Sequence, residues 1–73
     1  MGVTGGLYLK NFVRMHRARL DLTQQELAGL VGVSRQTIHA IERGKADPSV
    51  SLALRLAELF ELGVSELFEL ADG

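Results

Sequence analysis

The sequence predicts an all-α fold, a small bundle of five helices, from three observations. No run alternates apolar and polar residues for long enough to establish a strand, whereas apolar positions recur at helical spacing along most of the chain. Helix start and stop residues punctuate it repeatedly: Thr23 and Ser34 stand before helical stretches, and Gly32 and Gly44 stand after them. Finally, 73 residues without a cysteine leave one small core and no disulfide to staple it, so helix packing or a partner subunit must supply the stability.

Each element has its own local reason. Residues 1–6 are glycine-rich with little to bury and read as a flexible N-terminus, leaving 7–73 as one domain. From Leu7, the apolar residues Leu9, Phe12, Val13, Met15 and Leu20 predict a first helix ending near Arg19. Thr23 through Glu26 is a capping box, which starts a second helix at Gln24 that stops at Gly32. Ser34 caps a third helix, anchored by Ile38 and Ile41 and ended by Gly44. After the Lys45–Pro48 turn, Ser49 or its neighbour caps a fourth helix with Leu52, Leu56, Leu59 and Phe60 as its inner stripe. Gly63 breaks the chain before a short fifth helix from Val64 to about Glu69. The alternation in Phe68-Glu69-Leu70 leaves room for a short edge pairing between subunits.

Charge is divided unevenly along the chain. Residues 1–45 carry seven Lys and Arg against three Asp and Glu, a net +4, while 46–73 carry one Arg against six acids, a net -5. That fits a basic binding face with an acidic end turned away from it. The longest apolar runs fall far short of the roughly 20 residues of a membrane span. The first residues lack the basic start and apolar stretch of a signal peptide, so a cytoplasmic protein is expected. His16 and His39 without any thiolate make a closed zinc site improbable, and neither a paired-carboxylate, a Ser-His-Asp nor a phosphate-loop pattern is present. No cofactor, no metal and no enzyme activity are expected.

The informative stretch is Thr23 to Lys45. Ala28 places a small side chain four residues before Gly32, where the chain reverses, and Val33, Ile38 and Ile41 anchor the second helix of the pair across the first. The outward residues are then Arg35, Gln36, Thr37, His39 and Ala40. These suit base edges: arginine donates twice to guanine, glutamine pairs with adenine, and a methyl meets thymine. For Arg35 alone a solvated surface role would be the better expectation, and Ala40 is as easily a plain helix former; the surrounding motif favours contact with DNA.

Leu22 to Ala28, Gly32 to Ile38, Ile41 to Lys45 and Pro48-Ser49 resemble, in register, the phage-repressor-like helix-turn-helix regulators, also called lambda-repressor-like or xenobiotic-response-element type. Leu56-Ala57, Phe60, Leu62 and Leu67-Phe68 extend the resemblance to nearly the whole chain. It implies a compact five-helix domain with its helix-turn-helix at the second and third helices, binding double-stranded operator DNA as a homodimer and commonly repressing transcription. It assigns base contacts to Arg35, Gln36, Thr37 and Ala40, and phosphate contacts to Gln24, Arg43 and Lys45; Ser34 and His39 beside them join the phosphate set. It pairs Arg17 with Glu42 in a structural salt bridge. His16 departs from the pattern, standing where the family usually has an apolar residue.

The apolar surplus at the C-terminal end assigns Leu62, Val64, Leu67, Phe68 and Leu70 to a dimer interface. The regulator is expected at the nucleoid, through DNA. The alternative is a helix-turn-helix adaptor or antitoxin-like protein whose main partner is another protein, bound at the acidic C-terminal half.

Overall fold

The computed structural model describes residues 7–72, so the expected flexible N-terminus at 1–6 lies outside the described residues. Five helices are present, together with a two-stranded antiparallel sheet that joins the two ends of the described chain. In order these are β1 (Leu7–Asn11), α1 (Val13–Arg19), α2 (Gln24–Val31), α3 (Arg35–Glu42), α4 (Val50–Leu59), α5 (Val64–Leu67) and β2 (Phe68–Asp72).

The sheet corrects the all-α expectation in three places. Leu7–Asn11 is a strand and not the first turns of a helix, so α1 begins only at Val13. The fifth helix stops at Leu67 rather than near Glu69. The alternating tail pairs within its own chain, Leu9 opposite Leu70 and Lys10 opposite Glu69, rather than between subunits. The physical reason is a ladder between residues some sixty positions apart, which no local periodicity records. Asn11 ends the strand and begins the helix: its side-chain oxygen accepts from the Val13 amide at 3.1 Å, and its side-chain nitrogen donates to the Ile41 carbonyl at 2.8 Å. The Phe12 amide donates to the Leu67 carbonyl at 3.0 Å, locking the strand exit to α5.

Local chemistry sets the remaining boundaries. Thr23 accepts from the Glu26 amide at 3.0 Å while the Glu26 carboxylate accepts from the Thr23 amide at 2.9 Å, so two otherwise unpaired N–H groups of α2 are satisfied at once. Gly32 closes α2 in the left-handed conformation at φ 76°, which a side chain would strain. Ser34 and Ser49 cap α3 and α4, accepting from Thr37 and Leu52.

One core runs through all five helices and into the second strand: Val13, Leu27, Ala28, Val31, Ile38, Ile41, Leu52, Leu56, Ala57, Phe60, Leu67 and Phe68. Leu67 is fully buried and Phe68 only 8% exposed in the single chain. Both belong to the common core, Leu67 at the end of α5 and Phe68 at the start of β2. Val64 and Leu70 stay exposed, and Leu62 is half-buried against the core. Leu9 and Phe68, with Pro48, Val50, Ala53, Leu54 and Val64, instead line an apolar groove of about 310 Å³. Among the described residues no helix is long and apolar enough to cross a membrane.

Candidate nucleic-acid interface

α3 carries the exposed residues because its apolar ones are spaced to bury the opposite side. Ile38 and Ile41 are almost completely covered by the core, and their burial turns Arg35, Gln36 and His39 outward. Thr37 and Ala40 are half-buried along the flank of the same face. Arg43 and Lys45 follow on the exposed turn, where Gly44 takes φ 71°. The base-reading candidates and the phosphate candidates Ser34, His39, Arg43 and Lys45 therefore lie along α3 and at its two ends, with Gln24 on the adjoining α2.

Behind this face lies a polar cleft of about 320 Å³, lined by Arg14, Arg17, Gln24, Arg35, His39, Glu42 and Arg43. Glu42 is the sole carboxylate among these residues, and Arg17 engages it. The Arg17 Nε donates to one carboxylate oxygen at 2.7 Å and Nη2 to the other at 3.1 Å, while Nη1 donates to the Leu22 carbonyl at 2.8 Å. The two side chains are 17% and 4% exposed. This fork joins α1 to the C-terminal end of α3 and to the turn before α2.

Burial pushes the Glu42 carboxyl up, but hydrogen bonds from Arg17 and Gln24, with the nearby charges of Arg17 and Arg14, outweigh it and hold the group below the ordinary carboxylate range. The hydrogen bond to Glu42 raises Arg17 in turn, against the opposing effect of its own burial. With that pair mutually neutralised, Arg14, Arg35 and Arg43 leave the cleft cationic, which is the electrostatic requirement for a polyanionic partner.

Gln24 and Ser34 are more occupied than the sequence suggests. The Gln24 side-chain nitrogen donates to Glu42 at 3.0 Å and lies 3.3 Å from Nδ1 of His39, so it is already engaged with α3. The Ser34 hydroxyl accepts from the Thr37 amide at 3.2 Å and pairs with the Thr37 hydroxyl at 3.0 Å. Arg14 is the cleft residue missed in the sequence. Its position three residues before Arg17 puts both on one face of α1, and that spacing was the available signal. Among the described residues no group of three or more histidine and acidic side chains gathers where a metal could bind.

Residues 13–67 match the helix-turn-helix family. An HTH-type transcriptional regulator of Methanocaldococcus jannaschii is 47% identical over 64 residues, covering 88% of this chain and 97% of its own length. One of Bacillus subtilis is 41% identical over the same length, with the same coverage. The restriction-modification controller protein of Aeromonas hydrophila superposes with a TM-score of 0.70 at 34% identity, over 77% of this chain and 85% of that one. The transcriptional regulator VanUg superposes over 100% of this chain and 97% of its own with a TM-score of 0.77, and at 18% identity it shows likeness of fold alone. The capped α2, the left-handed Gly32 and the outward polar face of α3 are thus the parts of a helix-turn-helix, and the chain belongs to the Cro/C1-type helix-turn-helix family of DNA-binding transcriptional regulators.

Proposed function

We propose that this protein is a sequence-specific repressor that binds a pseudo-palindromic operator as a homodimer, inserting α3 of each subunit into successive major grooves about 34 Å apart. Arg35, Gln36 and Thr37 read base edges, with Ala40 against the groove floor. Arg43, Lys45 and His39 meet phosphates, joined by Arg14 from α1. Gln24 and Ser34 act at the helix N-termini, where unpaired amides favour an anion; Gln24 must release Glu42 or His39 to donate there. The observation that carries this function is the cationic cleft beside an exposed polar helix face whose reverse side is locked into the core.

The homodimer joins through the apolar end, using Val50, Leu54, Val64 and Leu70, with Leu62 at its margin. Supporting this, Val50 lines the apolar groove and is 77% exposed, and Leu70, 70% exposed, pairs with the groove residue Leu9. None of the groove residues lines the cleft, so dimerisation leaves the DNA face open. The protein then works in the cytoplasm, at the nucleoid.

Selection of bound duplexes from a random library tests the proposal. The expected product is a pair of inverted half-sites whose centres lie about 10 bp apart, bound with a steep dependence on salt. Recovery of sequence-blind, feeble association alone would overturn it in favour of an adaptor with a protein partner at the acidic half.

A further inference from the structure

The structure assigns Arg55 as a positioning residue for the recognition helix, an inference that rests on the DNA-binding function proposed above. Arg55 is the sole Lys or Arg among residues 46–73, and it lies on α4, outside the cleft. Its side chain leaves the acidic half and reaches the helix-turn-helix. Nη1 donates to the Val31 carbonyl, and Nε lies 3.4 Å from the carbonyl of Ser51 on its own helix. A Cβ built on Gly32 would meet that same Nη1 at 3.3 Å. The guanidinium therefore covers the turn at the point where the chain leaves α2.

The chemistry of a helix end explains why a cation belongs there. The last carbonyls of α2 have no amide further along the helix to accept from, and they carry the negative end of the helix dipole. Arg55 satisfies the final one from a neighbouring helix. Besides the shared core, Gln24 to Glu42 joins the start of α2 to the end of α3, and Arg55 to Val31 ties the end of α2, where the turn begins, to α4. Releasing the Arg55 contact loosens the turn through Val33 and Ser34 and the first turn of α3, which carries Arg35 and Gln36, while Ile38 and Ile41 keep the rest of α3 packed.

Two variants test this, Arg55→Met, which keeps the stem without donors, and Arg55→Lys, which restores a cation able to reach the carbonyl. Amide hydrogen exchange without DNA is expected to accelerate about tenfold at Val33 to Thr37 in Arg55→Met, with the α4 core unchanged and near-normal protection in Arg55→Lys. On the duplex selected by the wild-type protein, Arg55→Met is expected to bind about five- to tenfold more weakly with an unaltered salt slope, and Arg55→Lys within about twofold of wild type. Unchanged exchange at Val33 to Thr37 would overturn the assignment, as would uniform acceleration across the core. A salt slope reduced by about one would also overturn it, because Arg55 would then be touching phosphate directly. Should the wild-type protein select no duplex, the DNA-binding function fails, and the exchange data alone still decide whether Arg55 clasps the turn.

Discussion

Replacing Arg17 with methionine should destabilise the protein severely, and the size of the effect follows from what it strands. The Glu42 carboxylate is 4% exposed and receives two of its hydrogen bonds from Arg17. Removing one partner of a buried pair costs about 3–5 kcal/mol. Here Gln24 continues to donate to Glu42 at 3.0 Å and the methionine retains the apolar stem, so a loss of about 2–3 kcal/mol is expected. For a domain of this size that corresponds to a fall of roughly 10–20 °C in Tm, read by circular dichroism at 222 nm.

The same substitution should also change how stability depends on pH. In the wild type Glu42 is held below its unfolded value, so its stabilising effect is present above the ordinary carboxylate range and is lost as pH falls through the folded value. Without Arg17 the burial of Glu42 dominates and pushes the group the other way, so the deficit of Arg17→Met should narrow on acidification from pH 7 to 4. Adding Glu42→Gln to Arg17→Met should recover at least about 1 kcal/mol. Strict additivity of the two substitutions, or a Tm within 3 °C of wild type for Arg17→Met, would refute a pair that stabilises by mutual neutralisation.

Arg35→Ala should leave Tm unchanged and weaken binding to the selected duplex by about 1–3 kcal/mol, with relaxed preference at one base position in a repeat selection. Glu61 holds φ 58° with its side chain exposed; Glu61→Gly should therefore raise thermal stability by about 0.5–1 kcal/mol, and a lower Tm would mean the side chain has a partner in solution. Leu70→Asp should shift the mass seen by light scattering at micromolar concentration from dimer to monomer with the melting curve of the monomer intact. An unshifted dimer would remove that end of the sheet from the interface.

The centre of this protein was legible because its chemistry is local. Thr23, Glu26, Gly32 and Ser34 act on amides and torsions within a few residues of themselves, so their types and spacing are enough to place α2, the turn and α3. The outward set from Arg35 to Ala40 followed from Ile38 and Ile41 facing inward. Legibility failed where a partner is remote. Leu7 to Asn11 contains apolar residues that suit a helical stripe as well as a strand, and only a ladder with Phe68 to Asp72 decides between them. Leu67 and Phe68 read as an apolar surplus in a short terminal segment, and their place in the common core depends on partners remote in sequence. The family resemblance implies a phosphate role for Gln24, and its hydrogen bond to Glu42 at the end of α3 depends on a crossing angle that spacing does not specify. Arg55 sat among acidic neighbours in sequence and showed no sign of reaching a carbonyl 24 positions away.

Because Leu7 stands opposite Asp72, the described chain forms a nearly closed ring, with its two ends meeting at the sheet. A few added residues could seal that gap, and a new opening between Lys45 and Ala46 would leave every helix and strand whole. Such a permuted chain would carry both attachment points on the loop following α3, at the cationic face of the molecule instead of at the sheet.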